Sequence, residues 1–160
     1  VRAWRPSEAA DIFIGSHSGY ERLFPGVRPV RTLILDKTIS ALITRDEFER
    51  GGGIAGEHAV SIPYHLAPGT IIEPQGAGMW RLTIENERFL MFADLRDPWD
   101  AEIVSGWISE NYGQRSERPV LCFRRFGSLK ALRVAICPEK STPENINGWM
   151  DEWLSSASGV

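Results

Sequence analysis

The sequence predicts an all-β protein, an antiparallel β-sandwich with one C-terminal amphipathic helix. Three observations predict it. Short apolar runs with two-residue alternation recur along most of the 160 residues, separated by Gly, Pro, Asn and Asp. No strands alternate with helical stretches, which argues against βαβ units and a doubly wound sheet. One segment near the end, and no other, carries apolar residues at helical spacing.

The elements follow in order. Asp11 to Gly15 reads as a short apolar strand. Val30 to Asp36 and Ile39 to Thr44 read as a hairpin about Lys37-Thr38. Leu33, Leu35 and Leu42 fall on one parity and Val30, Ile34, Ala41 and Ile43 on the other, which predicts a strand pair covered at least partly on both faces. Gly51, Gly52 and Gly53 read as a turn; they lack the spacing of a phosphate-binding loop. Glu57 to Leu66 is a strand whose Pro63 predicts an edge or a bulge. Short extended pieces follow at Thr70 to Glu73, Met79 to Glu85 and Arg88 to Ala93, the last two joined by a turn at Asn86. Ile103 to Ile108, Val120 to Phe126 and Leu129 to Ile136 continue the pattern, the last two as a hairpin about Gly127 and Ser128. The helix is predicted over 143–154, with Thr142 as its cap, Pro143 at its first position and Ile146, Trp149, Met150, Trp153 and Leu154 as its apolar stripe. Ser155 to Val160 reads as a frayed tail. The expected organisation is one β-rich domain, or a fragment of one, over 1–160 with that helix packed on it.

Composition narrows the function. Eighteen Lys and Arg against 21 Asp and Glu give a formal net charge of -3, which supplies no basic field for a nucleic acid partner. An acidic polymer would need a local basic patch, for which Arg22, Arg28, Arg31, Arg81, Arg124 and Arg125 are available. No apolar run has the length of a membrane span. Cys122 and Cys137 do not make a disulfide framework; the predicted hairpin register sets them out of reach of each other, as small buried hydrophobes.

Few residues suggest chemistry. His17 and Tyr20 lie where a strand gives way to a polar Gly-Ser segment. An imidazole and a phenol suit β-elimination from a uronic acid, in which a base takes the C5 proton and an acid protonates the leaving oxygen. The plainer alternative is a hydrogen bond at a strand end. His58 and His65 fall on opposite faces of one strand, and no metal-binding spacing occurs. Trp99, among Asp94, Asp97 and Asp100, could touch a sugar or pack inward; packing is the favoured reading.

An ordered set of segments carries a family resemblance: Asp11-Ile12-Phe13-Ile14-Gly15-Ser16-His17-Ser18-Gly19-Tyr20, Arg31-Thr32-Leu33-Ile34-Leu35-Asp36, Pro63-Tyr64-His65-Leu66-Ala67-Pro68-Gly69, Gly106-Trp107-Ile108-Ser109-Glu110-Asn111-Tyr112-Gly113 and Arg118-Pro119-Val120-Leu121. Together they resemble the C-terminal region of heparinase II/III-like polysaccharide lyases over about 3–138. The resemblance implies a β-supersandwich beside an α/α toroid, and elimination chemistry on acidic polysaccharides. It implies that the catalytic centre, and any zinc of the full-length parent, belong to segments outside this chain. No catalytic or metal role is therefore carried onto His17, His58 or His65. It also implies a sandwich truncated on its upstream side, whose exposed strand edges would favour self-association, and a periplasmic or secreted parent. The substrate-facing candidates are His17, Tyr20, Arg28, Arg31 and Trp99. Two other functions compete: an independent glycan-binding module using Trp80, Trp99, Trp107 and Tyr112, and an inactive homologue serving polysaccharide assembly.

Overall fold

The computed structural model describes residues 1–23, 26–50, 57–76, 78–94, 96–97, 99–109 and 111–158. The triple-glycine segment at 51–53 lies outside them. Among these residues eleven strands, β1 (Ala3–Pro6), β2 (Ala10–Ser16), β3 (Val27–Asp36), β4 (Ala41–Arg50), β5 (His58–His65), β6 (Ile71–Gly76), β7 (Met79–Ile84), β8 (Glu87–Ala93), β9 (Asp100–Ile108), β10 (Ser116–Gly127) and β11 (Leu132–Pro138), precede one α-helix, α1 (Ile146–Ser158). All strand pairs are antiparallel. Eight strands form a sheet in the order β1-β2-β3-β4-β11-β8-β7-β6, and three form a second sheet in the order β5-β10-β9. The fold is all-β, sandwich-like and open at its edges, with the helix on the far side of the large sheet.

Each face of the large sheet has its own core. On the helix side, Ala10, Ile34, Ala41, Ile43, Ala135 and Cys137 pack against Met150, Leu154 and Ala157 of α1. On the other side, Trp80, Leu82, Met91, Ala93, Leu132 and Val134 pack against Ile62, Leu121 and Phe123 of the small sheet. The Phe123 ring meets Tyr64 and Trp80 edge-on, each at 5.6 Å between centroids, a favoured aromatic geometry. The two-sided apolar pattern of β3 and β4 has this origin. Coverage on the second face is partial: Leu33 and Leu42 are half-buried there and Leu35 is exposed.

Four expectations need correction. First, β10 and β11 are not a hairpin. β10 pairs with β5 and β9, whereas β11 inserts between β4 and β8. Val120, Leu121, Cys122 and Phe123 are buried in succession, as befits the central strand of the small sheet, flanked by β5 and β9. Gly127, at φ +106°, starts the passage from one sheet to the other. Cys122 and Cys137 consequently lie in different sheets, buried and unbonded; the expected absence of a disulfide stands on different geometry. Second, the β3–β4 turn spans four residues, since Asp36 pairs directly with Ala41. Asp36 Oδ1 accepts from the Thr38 amide (2.9 Å) and hydroxyl (2.5 Å), an aspartate turn that fixes the loop.

Third, the helix starts later and ends later than predicted. Asn145 Oδ1 accepts the Gly148 amide at 3.0 Å, so Asn145 performs the cap expected of Thr142. Thr142 is extended and its hydroxyl donates to the Pro138 carbonyl. Ala157, placed in the frayed tail by sequence, is buried against the sheet and keeps the last turn helical. Fourth, β1 has no counterpart in the sequence reading. It is four residues long, pairs with β2 alone and leaves Trp4 exposed.

The helix is fastened by polar anchors. Asp36 is 3% exposed, and its Oδ2 accepts from the Trp149 and Trp153 indoles at 3.1 and 3.0 Å. Burial pushes this carboxyl up, but donation from Thr38, Trp149 and Trp153 outweighs it and holds the group below its ordinary value. At the other flank Asp151 accepts from Arg96 and Arg133, which bring it down to about 2.

Candidate functional site

A cleft of ≈ 500 Å³ opens where the small sheet ends above β2, β3 and β4. One wall is the free edge of β5. The Leu66 amide donates to the Pro119 carbonyl at 3.3 Å, so by strand alternation the even-numbered residues of β5 bond to β10 and the odd-numbered ones face the open edge. Pro63 is odd-numbered, and its missing donor falls on the unpaired side. The edge predicted from this proline is thus observed, and its register with β10 runs through without a shift. His58 and His65 lie on opposite faces of β5, as the alternation requires.

The floor is built by β2 to β4. Phe13 lies across Gly15, whose missing side chain makes the room: a Cβ there would come within 2.8 Å of the Phe13 ring. Arg31 on β3 stands opposite Asp46 on β4. Its Nε and Nη2 donate to the two Asp46 carboxylate oxygens at 2.6 and 2.9 Å, a two-pronged pair. The Arg31 guanidinium also lies 5.9 Å from the Tyr64 ring centroid. Tyr64, an inner-facing residue of β5, shares a hydrogen bond of 2.5 Å with Thr44. Burial, followed by the Asp46 charge, pushes the Tyr64 phenol well above its ordinary value, which makes it a holder of its proton and not a base.

The mouth is formed by the segment after β2. His17 and Tyr20 rings pack edge to face at 5.2 Å. The Gly19 amide donates to His17 Nδ1 at 3.2 Å, so the neutral imidazole carries its proton on Nε2. Arg28 donates through Nε to Glu21 at 2.6 Å. His17, Tyr20 and Arg31 therefore line one cleft, with Arg28 at the start of β3, outside its lining. Trp99 is elsewhere. Its indole donates to the Ala131 carbonyl at 3.2 Å, and its ring borders the sheet-side core, as the packing reading expected.

Sequence reasoning missed Asp46, which lines the cleft, and the Tyr64–Thr44 pair that lies behind Arg31. A phenol on the inward parity of β5, next to Ile62, is the signal that could have found them, because a buried hydroxyl demands a partner. The geometry also limits the chemistry. Arg28 and Arg31 are both neutralised by carboxylates, so the cleft presents rings and hydrogen-bond donors more than net positive charge. Among the described residues no group of three or more His, Cys, Asp or Glu side chains could hold a metal ion. The donor set for the zinc that the resemblance implies is not assembled there. Among the described residues no helix is long and apolar enough to cross a membrane.

Comparison with known proteins agrees with this architecture. The fold resembles the Heparinase III-BT4657 gene product, with a TM-score of 0.69 at 15% identity over 89% of this chain and 22% of that one. It also resembles the heparan sulfate lyase HepC from Pedobacter heparinus (TM-score 0.69, 10% identity, 85% of this chain and 21% of that one). A third likeness is to a heparinase III (TM-score 0.66, 12% identity, 85% and 20%). The chain thus spans about a fifth of the length of these solved structures. No curated protein sequence matches significantly. The model of the family described as Heparinase II/III-like, C-terminal, matches residues 1–145, and by that match the chain belongs to the heparinase II/III-like family as its C-terminal region.

Proposed function

We propose that this region is the non-catalytic C-terminal scaffold of a heparinase II/III-like lyase and forms one wall of the groove for an acidic polysaccharide. Cleavage is by β-elimination, with the reacting groups supplied by segments outside this chain, a toroid domain foremost. The observation that carries this reading is the cleft under the β5 edge. It gathers His17, Tyr20 and Arg31 on strands and a strand end, and among the described residues it aligns no base and acid on a common point. His17 meets Tyr20 through its ring, and the Tyr64 phenol holds its proton.

The residues then have binding roles. His17 Nε2–H and the outer Arg31 N–H groups donate to substrate oxygens, and Tyr20 offers an apolar ring. The pairing of Arg31 with Asp46 fixes the fork and lowers its net attraction, which suits positioning over tight capture. The test is a lyase assay on the 160-residue chain with heparan sulfate and alginate. No rise in absorbance from an unsaturated uronate is expected, and a sustained rise would place the centre within this chain. In the full-length parent, Arg31→Ala and His17→Ala are expected to raise KM several-fold with kcat little changed. A loss confined to kcat would assign these residues to the chemistry instead.

A further inference from the structure

The four rings considered for a glycan-binding module divide in the structure. Trp80 is in the sheet-side core and Trp99 borders it. Trp107 and Tyr112 remain exposed, Trp107 at 52% and Tyr112 fully, and both belong to the hairpin of β9 and β10, at the opposite edge of the small sheet from the cleft. The Arg115 guanidinium lies 4.0 Å from the Trp107 ring centroid, within the range of a strong cation–π contact.

Arg115 differs from most arginines of the molecule. Arg2, Arg28, Arg31, Arg45, Arg96 and Arg124 each pair with a carboxylate. Among the described residues, Arg115 has no carboxylate partner. Glu117, across the strand pair from Trp107, accepts from the Ser105 hydroxyl. A guanidinium held against an indole keeps its in-plane N–H groups free and oriented, and a planar fork of this kind binds a carboxylate or sulfate through two parallel hydrogen bonds. The neighbouring ring surface suits the C–H face of a pyranose.

From this juxtaposition we infer that the tip of the β9–β10 hairpin is a second saccharide-binding site, distinct from the cleft, in which Arg115 takes the anionic substituent and Trp107 the ring of an acidic sugar. The saccharide class rests on the reading of this region as part of a polysaccharide lyase; the anion-binding geometry does not. Carboxylate and sulfate share the chemistry, so the probes separate them. The 160-residue chain would be titrated by calorimetry with an oligogalacturonate hexasaccharide, a heparan sulfate hexasaccharide and cellohexaose. At least one anionic probe is expected to bind, and the neutral one is not. Arg115→Ala and Trp107→Ala are expected to weaken binding tenfold or more. Arg115→Lys should fall between, and Glu117→Gln should tighten binding by removing a like charge. Arg124→Ala serves as the control and should leave it unchanged. The exposed positions make misfolding easy to exclude by circular dichroism, and Arg115→Gln repeats the test with a side chain of similar reach. Binding that survives both Arg115 variants and Trp107→Ala, or that is lost in His17→Ala instead, overturns the site. So does equal binding of cellohexaose, or no binding of either anionic probe at millimolar concentration. A protein partner would show itself as loss of a partner contact in the same variants without saccharide binding, which also overturns it. Failure here would leave the lyase-scaffold reading intact, because that reading is tested at His17 and Arg31.

Discussion

The two faces of the eight-stranded sheet are closed by different means. The face under α1 combines small sheet residues, Ala10, Ala41 and Ala135, with polar anchors at Asp36 and Asp151. The face under the three-stranded sheet is closed by large rings in edge contact, Phe123 with Tyr64 and Trp80. A helix has one stripe to offer, and small residues beneath it let it approach closely; directional hydrogen bonds from two indoles then set its rotation. A three-stranded sheet offers a broad surface and needs shape more than direction. The first interface should therefore respond to pH and the second to volume.

The largest expected effect breaks the second interface. Phe123→Ala removes a ring that is 1% exposed and should cost about 3–5 kcal/mol, read by chemical denaturation, with little dependence on pH. A cost under about 1 kcal/mol would show that the small sheet is not held by this ring. Next, Asp36→Ala leaves two indole N–H groups without their acceptor and should cost about 3 kcal/mol, with loss of the near-ultraviolet tryptophan dichroism of Trp149 and Trp153. A mutant as stable as the parent, with that signal intact, would assign the rotation of the helix to packing alone.

The pH response sharpens the contrast. The folded Asp36, Asp94 and Asp151 carboxyls all lie below their ordinary values. For Asp94, burial pushes up but the Arg96 and Arg133 partners prevail. A depressed folded pKa means that the unfolded chain takes up protons first. The stabilisation is then fully present above the ordinary carboxylate range and is lost as pH falls through the folded values, down to about 2 for Asp151. Denaturation followed between pH 6 and 2 should show this decline, and Asp36→Asn should flatten part of it while Phe123→Ala should not. The smallest effect lies outside both cores. Glu85 turns the β7–β8 hairpin at φ +52°, a backbone that glycine adopts without strain, so Glu85→Gly should raise stability by up to about 1 kcal/mol. A loss of stability would mean that the turn is not strained.

Much of this architecture was legible in the chain because strand parity is a local property. Trp80 and Leu82 alternate with Arg81 and Thr83, and the structure buries the first pair. Pro63 announced an edge because a missing donor is tolerable only on an unpaired side. The candidate site was less legible. His17 and Tyr20 stood out because they are three residues apart, whereas Tyr64 and Thr44 are joined across 20 positions and only the packing of the two sheets brings them together.

By itself the sequence determined the period of most segments, the apolar stripe of the terminal helix and the presence of a turn after β3, since each depends on residues within one or two turns of the chain. Tertiary structure alone decided that β10 and β11 part into different sheets, that Asp36 receives indoles 113 and 117 residues away, and that Trp107 stays exposed. The physical reason is the same in each case. Hydrophobic pattern specifies that a face must be covered, and it carries no address for what covers it.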